Sequence, residues 1–480
     1  YEPYRVRVTF DEGGVTEAAC SCPYDWGGWC KHIVATLLAC LHEPDSVEVR
    51  ATLNELLAEL DRGQLQGLLV HLAARDPYLS DEIESQIGLR QAVPGEADTA
   101  QEGLPPRRTP VDPQPVRRQV RNILHSLDRM RASEAYWHVG GVVDGVRQLL
   151  DQVQGFIAAG AGRNALALLE AITDEYVRGW LYLDDSDGYA GGFFQELGEA
   201  WTEAALAANL SPAEREQWAH KLTQWQGEVD GYGVEGAFDP AQAALLHGWD
   251  YPPLQRVLQG EITRLGAWEG EAPWFADELA AARLEVLERQ ERYQEYLHLA
   301  QAEGQLNLYV IMLARLGRVQ QAVDEGLKVL RRPAECLALA EVLREREELA
   351  AALRIAEHGL TLEGRRRGDL AAWLRDLAAG MGEAERALEA ATVAFREIPS
   401  MAAYQRGQEL AGERWPELRE EMLTHLRQAP GYSSVQAKVD IFLHEGLLDD
   451  AIAAVESGGR YGLIERVMDA VLEHRPDWVI

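Results

Sequence analysis

Cys20-Ser21-Cys22-Pro23-Tyr24-Asp25-Trp26-Gly27-Gly28-Trp29-Cys30-Lys31-His32 is the stretch that decides how this chain begins to fold. Four metal-ligating residues fall within thirteen positions, as Cys-x-Cys, a gap of seven, then Cys-x-His. Three thiolates and one imidazole make a closed tetrahedral set for zinc, with no position left for a catalytic water. The expectation is one structural Zn2+ held by Cys20, Cys22, Cys30 and His32. No later segment carries a signal as specific.

The flanking sequence fits a small ββα unit. Tyr4-Arg5-Val6-Arg7-Val8-Thr9-Phe10 alternates with a period of two, the mark of a half-buried strand. Asp11-Glu12-Gly13-Gly14 reads as a hairpin loop, and Val15 to Ala19 as the returning strand. Side chains two apart on a strand point the same way, so Cys20 and Cys22 can face one ion. After the Trp26-Gly27-Gly28-Trp29 turn, Cys30 and His32 stand where an apolar helix opens at Lys31 and runs to Leu41.

Residues 4–42, with the run Cys30-Lys31-His32-Ile33-Val34-Ala35-Thr36-Leu37-Leu38-Ala39, resemble the SWIM zinc finger, whose pattern is Cys-x-Cys, a variable gap, Cys-x-His and a helix. The resemblance implies that Cys20, Cys22, Cys30 and His32 are the ligands. It also implies a binding module for nucleic acid or protein, without catalysis, and in bacteria an association with helicase-like remodelling ATPases.

A chain of 480 residues exceeds one core, and 47% hydrophobic content supports several folded domains. No apolar run is long enough to span a membrane, and the first residues read as strand, not as a signal peptide. Five cysteines make no disulfide framework: three belong to the zinc motif, Cys40 reads as a small core residue, and Cys336 lies alone in a helical run. Reduced thiols beside a structural metal point to the cytoplasm. The net charge of −32 opposes broad binding to nucleic acid, whose phosphates need local clusters of cations. The finger itself offers Arg5, Arg7 and Lys31. The strongest basic cluster is Arg107, Arg108, Arg117, Arg118 and Arg121, with Arg129 and Arg131 beyond it. A solvated helix face is its plainer reading and a phosphate-contacting helix its sharper one.

The domain reading has five parts: a finger over 1–43, supporting helices over 44–92, a Pro-rich linker over 93–115, a helical domain over 116–290 and helical repeats over 291–480. Leu53, Leu56, Leu57 and Leu60, then Leu65, Leu68, Leu69 and Leu72, follow helical spacing. Six prolines between Pro94 and Pro115 block helix continuation. Beyond Val116 a phrase recurs: a turn residue, then five positions on an alanine opening an apolar helix. It occurs at Gly160/Ala165, Gly317/Ala322, Gly382/Ala387 and Gly446/Ala451, with a degenerate copy at Glu347/Ala352. The last three glycine copies lie 65 and 64 residues apart, and Glu347 divides the first gap into 30 and 35. A period near 32 residues is that of tetratricopeptide-type helix pairs, stacked as an α-solenoid. The likeness is one of period, because the Trp-Leu-Gly-Tyr signature is missing.

The other motifs read as structure. Gly231-Tyr232-Gly233-Val234-Glu235-Gly236 fits G-x-G-x-x-G but follows polar sequence, not a buried strand, and is expected to be a loop. Asp184-Asp185-Ser186-Asp187-Gly188 looks like a calcium loop, yet the register puts Leu183 and Phe194 at ligand positions. It reads as an acidic turn between helices. The aromatics around it (Trp180, Tyr182, Tyr189, Phe193, Phe194 and Trp201) read mostly as core, with a recognition surface as the alternative. His42, His71, His125, His138, His220 and His247 are scattered singly, and Arg365-Arg366-Arg367 reads as a solvated turn.

These readings converge on a mainly α protein opening with a zinc-bound ββα finger. The expected function is a non-enzymatic adaptor, with no small-molecule substrate and no membrane contact, that recognises a protein or nucleic-acid partner through the finger and scaffolds another on the repeats. Direct DNA or RNA binding through the finger and the Arg107–Arg131 cluster is the alternative.

Overall fold

The computed structural model describes residues 4–11, 14–20, 22, 29–42, 57–58, 60–75, 79–80, 82–84, 87, 110–128, 130, 135–429, 434–458, 461–472 and 474–479. The chain is mainly α and divides into two compact units, Tyr1–Ile83 and Glu84–Ile480.

The first unit opens with strands β1 (Val6–Asp11) and β2 (Gly14–Cys20), paired antiparallel with Val6 opposite Cys20 and Val8 opposite Ala18. An irregularity between Thr9 and Phe10 shifts the register, so Phe10 meets Val15. Helix α1 (Lys31–His42) packs on both strands. Helix α2 (Arg62–Arg75) contains Leu65, Leu68, Leu69 and Leu72, and the last three are partly exposed. Leu53, Leu56 and the Trp26-Gly27-Gly28 turn lie outside the described residues.

In the second unit, helix α3 (Gln114–Leu124) starts one residue before the expected linker end, with Pro115 in its first turn. Pro suits that position because its missing N–H has no helical partner there. Helices α4 (Val139–Ala158), α5 (Gly162–Gly179), α6 (Tyr189–Ala207), α7 (Pro212–Val229) and α8 (Asp239–Leu246) follow. Helix α6 is the hub, touching α4, α5, α8 and α10 (Ala276–Arg289). It is mostly apolar, with a polar stripe of Glu196, Glu199 and Glu203, and it buries Phe193, Phe194, Leu197 and Trp201 completely. Gly198 is required where α6 meets the loop before α8, because a Cβ there would lie 1.9 Å from the Ala237 carbonyl oxygen.

After α9 (Pro252–Leu258) and α10 the chain becomes a series of short antiparallel helices. These are α11 (Tyr293–Ala302), α12 (Leu306–Arg315), α13 (Val319–Val329), α14 (Pro333–Glu345), α15 (Leu349–Leu360), α16 (Arg367–Gly380) and α17 (Ala384–Glu397). Next come α18 (Met401–Ala411), α19 (Trp415–Gln428), α20 (Val435–His444), α21 (Leu448–Glu456) and α22 (Tyr461–Val471). From α12 onward helices pack against the next helix and, repeatedly, against the next but one: α12 on α14, α13 on α15, α14 on α16, α18 on α20.

The recurring phrase seen in the sequence marks the turns of this series. Gly317 has φ 77°, its N–H bonds to the Ala314 carbonyl at 2.9 Å, and the Arg318 N–H reaches back to Leu313 at 2.9 Å. That pair of bonds is a Schellman cap, which needs a left-handed residue after the helix. The same geometry recurs at Gly160, Gly382 and Gly446, and at Glu347 with φ 63°. Glu291, with φ 56°, closes another such turn that the glycine pattern does not mark. Five residues after each of the five phrases, Ala165, Ala322, Ala352, Ala387 and Ala451 are fully buried, where a small side chain lets neighbouring helices approach.

Candidate metal centre

The four expected ligands converge. The Sγ atoms of Cys20, Cys22 and Cys30 and a ring nitrogen of His32 all lie within 4.8 Å of one another. His32 Nδ1 is 3.8 Å from Cys20 Sγ and 3.9 Å from Cys30 Sγ. A zinc tetrahedron with Zn–S of about 2.3 Å and Zn–N of about 2.0 Å needs neighbouring donors roughly 3.5–3.8 Å apart. The spacing therefore fits a metal with little adjustment. The donor set suits one structural zinc, with Cys20, Cys22, Cys30 and His32 holding it. Bound there, the ion would supply cross-linking, not Lewis-acid chemistry, because the protein fills all four positions.

The secondary structure explains the aim of each ligand. Cys20 is the last residue of β2, fixed by pairing with Val6. Cys30 stands immediately before α1, with its carbonyl accepting from the Val34 N–H at 3.1 Å. It is the N-cap, and its sulfur takes the place of the usual capping oxygen. Burial opposes its ionisation, but the Ile33 N–H, the Cys22 and Cys20 thiols and the His32 N–H turned toward the sulfur bring the Cys30 thiol down to about 6. A thiolate at a helix N-terminus also gains from the aligned peptide dipoles. Cys20 moves the other way, pushed up to about 11 by desolvation and by its neighbouring thiols, although the Cys22 N–H works against this. Cys30 thus enters as a readily ionised sulfur, and a divalent ion displaces the proton of Cys20 as it binds.

His32 is oriented from its flank by Tyr4, whose ring centroid is 4.8 Å away. Cys40 lies on α1 outside the cluster, only partly buried, and Cys336 is buried in the second unit, where desolvation raises its thiol to about 11. Neither is placed to ligate with the four.

Residues 4–41 match the model of the SWIM zinc finger family. This segment is a SWIM zinc finger. The chain is also similar to the Zinc finger SWIM domain-containing protein 8 of Mus musculus, 27% identical over 322 residues, covering 52% of this chain and 18% of that protein. Its Drosophila melanogaster homolog is 24% identical over 291 residues, covering 47% and 14%. The protein of Bos taurus is 38% identical over 74 residues, covering 15% and 5%. The chain spans less than a fifth of the length of these curated relatives. The longer matches extend well beyond the SWIM finger, so the similarity includes helical sequence.

The other candidate residues are placed differently. Arg5, Arg7 and Lys31 are exposed on the SWIM finger, with Arg7 in β1 and Arg5 just before it. Arg107, Arg108, Arg129 and Arg131 lie outside the described residues. Arg117 pairs with Asp174, Arg121 chelates Glu175 through bonds of 2.9 and 2.7 Å, and Arg118 reaches Glu84 at 2.6 Å. These three arginines tie α3 to α5 and to the segment before it. The G-x-G-x-x-G stretch is a turn between α7 and α8, with Gly233 and Gly236 in left-handed conformation. In the acidic turn Asp185 caps α6, accepting from the Ala190 and Gly191 N–H groups at 2.6 and 2.8 Å. Arg366 and Arg367 pair with Asp369 and Glu397. Of the single histidines, His247 is notable: burial first, then the Arg283 charge, lowers its pKa.

No described helix is long and apolar enough to cross a membrane.

Proposed function

We propose that this chain is a non-enzymatic adaptor in the cytoplasm. Its SWIM finger engages one macromolecule, and the stacked helices, TPR-like in period, hold a second protein. The observation that carries this reading is the outer face of α1. Val34, Leu38 and Leu41, spaced four and three residues apart, are 42%, 49% and 76% exposed, and Trp29 beside the helix start is 52% exposed. The opposite side of the helix holds His32 and the buried Ile33. A finger stapled by metal and presenting apolar side chains suits a protein partner better than phosphate. Consistent with this, Arg117, Arg118 and Arg121 are engaged by Asp174, Glu84 and Glu175. Direct DNA or RNA binding then rests on Arg5, Arg7 and Lys31. A helicase-like ATPase is one partner class suggested by the SWIM resemblance.

Fluorescence anisotropy of labelled single- and double-stranded DNA and RNA against the zinc-loaded chain, across a salt series, separates the readings. The adaptor reading expects no tight, salt-sensitive binding near physiological salt. Binding on the order of micromolar that weakens steeply with salt and is lost on Arg5→Ala with Arg7→Ala would replace it with nucleic-acid targeting.

A further inference from the structure

The second unit carries a patch that its packing does not use. Tyr182, Tyr189 and Tyr232 are 72%, 61% and 59% exposed, and Trp137 is 80% exposed. Sequence separation hides their proximity, but side-chain contacts join them. The Tyr136 hydroxyl donates to Asp187 at 2.7 Å, and its ring centroid is 5.1 Å from that of Trp137, which brings both to the acidic turn. Tyr189 opens the helix that Asp185 caps. The buried Trp180, two residues before Tyr182, meets the Tyr232 ring edge-on at 5.9 Å. Gly191 faces both Asp185 and Val234, so the 230–236 loop lies against the same turn.

Trp137, Tyr182 and Tyr232 are each held against a neighbouring ring, of Tyr136, His125 and Trp180, while remaining exposed. Such rings are costly to expose and cheap to use, because little side-chain freedom remains to be lost on binding. The exposed carboxylates of the acidic turn are negative, and the ring beside Tyr182 is that of His125, centroids 5.4 Å apart, itself paired with Asp128. Asp184 and Asp187 are exposed and accept from the Ser186 and Tyr136 hydroxyls, and neither makes an ion pair with a described residue. Elsewhere in this unit arginines and carboxylates are extensively paired. The sequence carries no Lys or Arg between Arg178 and Arg215, nor between Lys221 and Arg256. The 182–189 and 230–236 loops fall inside those two gaps, and the segment bearing Trp137 lies outside them.

We infer that this aromatic and acidic surface docks an extended, Arg- or Lys-bearing segment of another protein. Guanidinium or ammonium groups would lie over the ring faces and pair with Asp184 and Asp187, and aliphatic stems would cover the rest of the rings. The patch spans three chain segments and four rings, which exceeds what one small cation covers, and the acidic turn's charge repels nucleic acid. The inference deepens the adaptor reading by naming one surface and the chemistry of its partner.

The test uses the full zinc-loaded chain and fluorescein-labelled peptides of nine residues alternating Arg with Leu, Lys with Leu, or Glu with Leu. Anisotropy is read for wild type, for Trp137→Ala, for Tyr182→Ala and for Asp184→Asn with Asp187→Asn. A control pair, Glu413→Gln with Glu417→Gln, removes the same charge far along the chain, and thermal melts check that each variant is folded. The basic peptides should bind wild type and the control pair alike, the Glu peptide should not bind, and each patch variant should weaken basic-peptide binding about tenfold or more. Patch variants that bind as wild type does, equal weakening by the control pair, or no basic-peptide binding at low salt would each overturn the inference. Peptide binding that survives Leu38→Asp and Cys30→Ser in the SWIM finger places the site in the second unit, so failure here is distinguishable from failure of the finger's role in the adaptor.

Discussion

In the first unit the described side chains closed off from water are Cys30 and Ile33; in the second, α6 alone buries eleven of its nineteen residues. A buried Ile contributes about 2–3 kcal/mol, far short of the backbone entropy of some thirty ordered residues at about 1–2 kcal/mol each. Among the described residues burial falls short of what the SWIM finger needs, and apparent zinc affinities of about 10–16 kcal/mol are of the right size to supply the rest. The helical unit needs no such ion. Its cores run from Val111 to Val286, Leu254 to Ala390 and Leu388 to Val471, overlapping in sequence so that each stretch supports the next. One chain thus holds two kinds of fold, one conditional on zinc and one not.

Breaking the finger should give the largest effect. Cys30→Ser removes the buried N-cap ligand, and zinc content measured by plasma mass spectrometry should fall from one ion per chain to none. The main thermal transition of the helices should stay where it is. A core substitution should do the reverse. Trp201 is fully buried and donates to the Thr173 hydroxyl at 2.9 Å, so Trp201→Ala should cost about 3–5 kcal/mol in denaturant unfolding with zinc content unchanged. Gly198→Ala should cost about 1–3 kcal/mol, because the added methyl forces α6 away from the Ala237 carbonyl.

Two smaller changes sharpen the picture of the helical turns. Glu347→Gly should raise stability by about 0.5–1 kcal/mol, since Glu347 is held at φ 63° where glycine is free of strain. The last concerns acid. Arg163 beside Glu214, together with the Ser211 N–H and hydroxyl, holds that carboxyl down to about 2 from its ordinary 4.5. A folded value below the unfolded one means the stabilisation is complete above about 4.5 and is lost as the pH falls toward 2. Amide exchange at the start of α7 should speed up over that interval, and Glu214→Gln should remove the pH dependence.

The SWIM finger was legible in sequence because metal geometry demands particular residue types at fixed spacing. The helical turns were legible where glycine occupies the left-handed cap. The turn at Glu291 was not, since nothing about a glutamate announces a positive φ. The basic cluster misleads for a related reason: linear sequence displays Arg117 and Arg121 but not Asp174 and Glu175, some fifty residues away, that engage them. Gln226 is another hidden element. Buried in α7, it donates to the Val234 carbonyl at 2.7 Å and accepts from the Phe238 N–H at 2.9 Å, fixing the glycine-rich loop from inside. Arg283 is likewise buried, donating to the His247 carbonyl at 2.7 Å and lying 6.0 Å from the Trp268 ring centroid; desolvation brings its pKa down to about 10. Polar residues that serve the core look in sequence like any surface residue.

Hydrogen–deuterium exchange by mass spectrometry, on the intact chain with stoichiometric zinc and again after chelation, tests the division between the units most directly. Removal of zinc should abolish protection across residues 4–42 and leave residues 135–429 as protected as before. Protection of 4–42 that survives chelation, or loss of protection that spreads through the helices, would contradict a metal-held finger beside a self-sufficient helical unit.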